Sequence, residues 1–71
     1  MNIPAKTLGI LGGGQLGRMS AQAAKQLGIE VHIYCPEENS PASQVAEYTT
    51  IAAYDDYQAL EDFAQNVDVI S

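Results

Sequence analysis

The chain has 71 residues, room for one small domain that buries only about 60% of the surface its unfolded form exposes. Apolar residues make up 46% and charged residues 17%, a globular balance, and the single cysteine, Cys35, excludes an internal disulfide as well as a cysteine–histidine zinc site. Nine acids against three bases leave a net charge of −6, which disfavours nucleic acid as a partner.

Lys6 to Leu11 is a short, mostly apolar run that ends in three glycines and reads as a buried strand despite Gly9 inside it. From Gln15 to Leu27 the period lengthens. Leu16, Met19, Ala23, Ala24 and Leu27 recur at helical spacing and are expected to form the buried face. Gly28 follows as the natural stop, because glycine accepts a positive φ. Glu30 to Cys35 is the second strand, with Val31, Ile33 and Cys35 on one face and His32 and Tyr34 on the other. After the polar loop Pro36 to Ser40, Ser40 as N-cap and Pro41 behind it predict a short helix to about Glu47. Tyr48 to Ala52 reads as a third strand. Asp55 is expected to cap the next helix, with Gln58 three residues on and an apolar stripe of Leu60, Phe63 and Ala64. Val67 to Ile70 is a fourth strand, inside which the sequence reaches Ser71.

Strands that alternate with helices over such short connections are parallel and joined by right-handed crossovers. The expected fold is therefore α/β, a three-layer Rossmann-like half with a four-stranded parallel sheet in the order 3-2-1-4. Parallel sheets are covered on both faces. The uncovered fourth strand makes residues 1–71 read as the N-terminal piece of a longer protein. No apolar run approaches the roughly 20 residues of a membrane span, and residues 1–6 lack the features of a secretory signal. A soluble, reducing, cytoplasmic setting without a membrane partner is the expectation.

The chemical signal is Gly12-Gly13-Gly14-Gln15-Leu16-Gly17, a G-x-G-x-x-G run between a predicted strand and a predicted helix. Glycine permits a sharp turn and a close approach of backbone to ligand, and Gly17 permits tight helix–sheet packing. The N–H groups of the first helical turn then face an anion such as phosphate. The same run also serves as a purely structural turn in a domain that only assembles with others. For a dinucleotide, Glu37 or Glu38 would have to bond a ribose at the end of the second strand, which makes the NAD-binding half of an oxidoreductase the alternative. A Walker-type phosphate loop is excluded, since neither Gly-Lys-Ser nor Gly-Lys-Thr occurs. Arg18 can pair with phosphate or lie in solvent. His32 reads as a packed histidine, Cys35 as a small core residue, and Tyr48, Tyr54 and Tyr57 as cover for the sheet edge. No complete catalytic constellation is present in the sequence.

The run from Gly9 through Gly14-Gln15-Leu16-Gly17-Arg18-Met19 resembles the opening of the 5-(carboxyamino)imidazole ribonucleotide synthases of the ATP-grasp superfamily. The likeness continues through Ala21-Gln22-Ala23-Ala24, Leu27-Gly28, Ser40-Pro41-Ala42, Gln44-Val45-Ala46 and Tyr54-Asp55-Asp56, and so spans nearly the whole chain. The resemblance implies a pre-ATP-grasp domain of a ligase in purine biosynthesis. That enzyme uses ATP and Mg²⁺, held mainly outside this segment, to carboxylate 5-aminoimidazole ribonucleotide with bicarbonate through carboxyphosphate, and it works as a homodimer. The glycine turn would then serve the ribonucleotide, with Gly13, Gly14, Gln15 and Leu16 as substrate-binding residues and no catalytic residue in this segment. Related glycinamide ribonucleotide enzymes carry Glu where this sequence has Gln15. Leu16 is expected to contribute only its backbone N–H, its side chain being placed in the core.

Overall fold

The computed structural model, which describes residues 6–70, keeps the expected alternation of strand and helix except after the second strand, where turns stand in place of a helix. The elements are β1 (Thr7–Leu11), α1 (Gln15–Gln26), β2 (Glu30–Cys35), β3 (Tyr48–Ile51), α2 (Tyr57–Gln65) and β4 (Val69–Ile70). The strands form one sheet in the order β3-β2-β1-β4, all parallel, as expected. Register between β1 and β2 runs from Thr7 opposite Glu30 to Leu11 opposite Tyr34. Because the strands share one direction, the segments leaving β1, β2 and β3 emerge at the same edge of the sheet. The expected end of the chain within the fourth strand, at Ser71, lies outside the described residues.

α1 contains no β-branched residue and three alanines, so its backbone loses little side-chain freedom on coiling. It stops at Gly28, whose φ is 77°. There the Gly28 N–H bonds the Lys25 carbonyl at 3.0 Å and the Ile29 N–H bonds the Ala24 carbonyl at 2.9 Å, the paired bonds of a Schellman ending.

The face that α1 buries is not the one its large apolar residues predict. Ala21 and Ala24 are buried, whereas Leu16, Met19 and Leu27 are 80%, 62% and 76% exposed, and Ala23 is exposed as well. Distance of approach is the cause. A Cβ on Gly17 would stand 3.2 Å from the Gly12 carbonyl oxygen and 3.3 Å from the Ala42 Cβ. Only the stripe of small side chains at Gly17, Ala21 and Ala24 fits so close to the sheet. Beneath it lie Ile10, Val31, Ile33 and Cys35, with Ala42 alongside.

The opposite face of the sheet carries His32 and Tyr34, as the strand alternation predicts. Phe63 of α2 packs on both, with ring centroids 4.9 Å from His32 and 5.3 Å from Tyr34. Gly9 makes room for it: a Cβ there would meet Phe63 Cζ at 2.8 Å and Val67 Cγ2 at 2.9 Å. The residue that weakens β1 as a strand is thus the floor on which α2 rests.

Four further expectations are corrected. Residues 41–45 form successive turns and not a helix reaching Glu47. Ser40 does cap them, its Oγ accepting the Ser43 N–H at 3.3 Å. Two helical bonds remain, from the Gln44 N–H to the Ser40 carbonyl at 3.3 Å and from the Ala46 N–H to the Ala42 carbonyl at 3.2 Å. The segment is tied at its ends by the Ala42 N–H to the Gly13 carbonyl at 3.0 Å and by the Glu47 carboxylate to the Val31 N–H at 2.7 Å. α2 is capped by Asp56 and not Asp55; Asp56 Oδ1 accepts the Ala59 N–H at 3.1 Å, while Gln58 donates forward to Asp62 at 3.2 Å. Of the predicted α2 stripe, Phe63 is buried, Leu60 half-buried and Ala64 exposed. β4 is shorter than expected because Asp68 turns back on β1, its carboxylate accepting the Thr7 N–H at 2.8 Å and its own N–H bonding the Thr7 carbonyl at 2.9 Å.

Candidate functional site: a glycine turn between two clefts

The three glycines after β1 do different work. Gly12 has φ 121°, a conformation that L side chains rarely adopt, and its N–H extends the ladder to the Tyr34 carbonyl at 2.8 Å. Gly13 is required by contact. A Cβ on it would lie 2.6 Å from the Ser40 Cβ and 3.0 Å from the Cys35 Sγ. Gly14 is the N-cap of α1, with φ −76° and ψ −170°, and nothing lies within 4 Å of the place a Cβ would take. Nothing within the described chain calls for a glycine at position 14. It faces open space.

α1 therefore begins with an open end. Its first helical bond joins the Arg18 N–H to the Gly14 carbonyl at 3.0 Å, no side chain caps it, and its first turn holds no acid. The N–H groups of Gln15, Leu16 and Gly17 belong to the set that a helix leaves without internal partners. Together with the helix dipole they favour an anion. Lys25 in the last turn complements the other end of that dipole.

Two clefts flank the turn. One, of about 470 Å³, is lined by Leu11, Gly14, Gln15, Leu16 and Ser20 and carries no charged side chain. The other, of about 590 Å³, is bounded by Gly12 to Gly14, by Glu37 to Pro41 and by Tyr54. The four residues assigned to substrate binding from the sequence come together here: Gly14 borders both clefts, Gly13 the second, and Gln15 and Leu16 the first. The expected burial of Leu16 is corrected, since its side chain is exposed and forms an apolar wall of the first cleft.

Other candidates fall elsewhere. The Arg18 guanidinium is engaged by the loop that follows the second strand: Nη1 donates to the carbonyl of Pro41, a residue of the second cleft, at 3.4 Å and to Gln44 Oε1 at 3.3 Å. His32 is packed, as expected: Nε2 lies 2.7 Å from Thr50 Oγ1, and burial pushes its pKa below the ordinary 6.5. Cys35 is buried, its Sγ 3.3 Å from the Glu37 carbonyl and 3.5 Å from Ser40 Oγ. Tyr48 and Tyr57 are exposed. Tyr54, read from the sequence as edge cover, instead lines the second cleft. The available signal was its position just after the third strand, at the edge where the glycine turn emerges.

Residues 5–71 match the family model described as "Ribonucleotide synthetase preATP-grasp domain". The chain is 57% identical over 68 residues to the bifunctional purine synthesis protein purC/E of Dictyostelium discoideum, an alignment covering 96% of this chain and 7% of that protein. It is 52% identical over 68 residues to N5-carboxyaminoimidazole ribonucleotide synthase of Brucella melitensis, covering 96% of this chain and 19% of the relative. The chain thus spans less than a fifth of either relative. Among solved structures, the ADP complex of purK, an N5-carboxyaminoimidazole ribonucleotide synthetase, superposes with a TM-score of 0.93 at 46% identity over 100% of this chain and 19% of that one. The N5-carboxyaminoimidazole synthase of Aspergillus clavatus, solved with ADP and 5-aminoimidazole ribonucleotide, gives 0.82 at 34% identity over 93% of this chain and 18% of that one.

Proposed function

The chain belongs to the ribonucleotide synthetase preATP-grasp domain family, and from that premise we propose that residues 1–71 form the acceptor-substrate side of an ATP-dependent ligase. The reaction joins bicarbonate to the amine of 5-aminoimidazole ribonucleotide while ATP is cleaved to ADP and phosphate. The observation that carries this is the uncapped start of α1 at the central strand, with Gly14 open to both clefts. Backbone N–H groups at Gln15 and Leu16 meet the anionic part of the ribonucleotide. The Gln15 amide adds donors and acceptors without adding charge beside a phosphate, and Leu16 supplies apolar surface. Gly14 lets the ligand approach the backbone, while Gly13 admits Ser40 against the turn. Support for the substrate comes from the Aspergillus clavatus relative, which was solved with that ribonucleotide and with ADP.

In this scheme the chain positions and does not perform the chemistry. Holding the amine in line with its carboxyl donor lowers the barrier by removing freedom of approach. Among the described residues no three His, Cys, Asp or Glu side chains gather to hold a metal ion, and the first cleft has no charged lining. The described residues therefore do not fit Mg²⁺, and no step through it is assigned to them. Bicarbonate as co-substrate, a homodimeric assembly and a cytoplasmic setting, the last in keeping with a free buried Cys35, complete the proposal. The dinucleotide alternative is not favoured, although Glu37 and Glu38 do border the second cleft.

The test is an amide NMR titration of the ¹⁵N-labelled chain with 5-aminoimidazole ribonucleotide and, separately, with NADH. The ribonucleotide is expected to shift the amides of Gly13 to Leu16 saturably, and NADH to leave them in place. Saturation by NADH, or indifference to the ribonucleotide, overturns the proposal.

A further inference from the structure

The hydroxyl of Tyr54 stands over the glycine turn, 3.9 Å from the place a Cβ on Gly12 would take. Its position is built from three sides. The Ala52 N–H bonds the Cys35 carbonyl at 3.1 Å, the Asp56 N–H bonds the Ala53 carbonyl at 3.2 Å, and the Tyr34 hydroxyl donates to that same Ala53 carbonyl at 2.5 Å. Tyr34 is fully buried, and its ring lies 6.0 Å from that of Tyr54 at an interplanar angle of 38°. A half-exposed phenol is thus held beside the cleft by a buried one.

The second cleft differs from the first in what it can bind. Glu37 and Glu38 border it, and carboxylates repel a phosphate but accept hydrogen bonds from hydroxyls. Phosphate belongs at the start of α1, where the N–H groups converge and no acid stands in the first turn. A ribose attached to that phosphate would meet the acidic side, where its hydroxyls find acceptors. Burial, with Glu37 adding to it, raises the Tyr54 pKa above 10, so its phenol is neutral at physiological pH and able to donate or accept.

We propose that Tyr54 is a substrate-contacting residue that hydrogen-bonds a ribose hydroxyl of the ribonucleotide, and that Tyr34 is the positioning residue that holds it in place. This rests on the ribonucleotide function proposed above, and it adds the residue that reads the sugar.

The experiment titrates the chain with 5-aminoimidazole ribonucleotide and with inorganic phosphate, following the amides of Gly13 to Leu16 in the wild type, Tyr54→Phe, Tyr34→Phe and the double variant. Tyr54 is half exposed, so Tyr54→Phe keeps the fold. It is expected to weaken the ribonucleotide by about three- to tenfold, the range of one neutral hydrogen bond, and to leave phosphate binding unchanged. Tyr34→Phe should weaken the ribonucleotide in the wild-type background and have no further effect when Tyr54 is already Phe. Should Tyr34→Phe fail to fold, the Tyr54→Phe contrast between the two ligands decides. Unchanged ribonucleotide affinity in Tyr54→Phe, with the glycine-turn amides still shifting, overturns the role of Tyr54 and leaves the proposed function standing. Equal loss for ribonucleotide and phosphate also overturns it. A wild-type chain whose glycine-turn amides ignore the ribonucleotide overturns both.

Discussion

Gly13 and Ser40 touch so closely that a single methyl group on the glycine would occupy the space of the serine side chain, 2.6 Å from its Cβ. Gly14, one residue on, has nothing within 4 Å. The two neighbours should therefore answer to substitution in opposite ways. Gly13→Ala is expected to lower folding stability by about 1–3 kcal/mol, the usual cost of overpacking, and Ser40→Gly in the same chain should restore part of it. Gly14→Ala should change stability by less than about 1 kcal/mol. Urea denaturation of the four chains checks both. In the full-length ligase proposed above, Gly14→Val should raise KM for the ribonucleotide far more than for ATP, and an equal rise in both would count against the assignment.

The stripe that α1 buries makes a second prediction. Met19→Gln and Leu27→Gln remove exposed apolar groups and should shift stability by no more than about 0.5 kcal/mol. Ala21→Leu and Ala24→Leu should cost about 1–3 kcal/mol each, because the helix sits too near the sheet to admit them. A helix packed through its leucines would give the reverse order in thermal melts.

At the start of α2, Asp56→Ala should cost about 0.5–2 kcal/mol through loss of the cap on the Ala59 N–H. Asp55→Ala should stay within about 0.5 kcal/mol. Hydrogen exchange at the α2 amides separates the two, with faster exchange expected only for Asp56→Ala.

His32 gives the chain a dependence on pH. Burial lowers its pKa in the folded state, so on acidification the unfolded chain takes up the proton first. Stability is then full above the ordinary value of 6.5 and declines as pH falls through 6.5 toward the folded value. His32→Gln should flatten that decline. Urea midpoints compared between about pH 7.5 and 5.5, above the range where ordinary carboxylates titrate, isolate the effect.

Much of the fold was legible because period and punctuation agree. The strand limits of β2, the stop at Gly28 and the sheet order follow from alternation, β-branching and glycine, all of which act locally or through topology. The face of α1 was not legible, because counting large apolar residues ignores how near a helix lies to its sheet. Gly17, Ala21 and Ala24 carried that information as a stripe of small residues. The turns at 41–45 were missed for another reason. The path of that segment is tied at both ends to distant partners, the Gly13 carbonyl and the Val31 N–H, that sequence neighbours do not disclose. Of the candidate site, the gathering of Gly13 to Leu16 at the two clefts follows from their spacing. The separate reasons for the three glycines, and Tyr54 above them, needed the third dimension.

Cys35 offers a clock for the cleft. Its thiol is shut beneath the loop of Glu37 to Ser40, in contact with the first carbonyl and the last hydroxyl of that loop. A thiol reagent can reach it only when the loop or α1 lifts from it, so the labelling rate counts those openings. A ligand lodged between the glycine turn and this loop would slow that rate in proportion to its occupancy, with no label on the ligand itself.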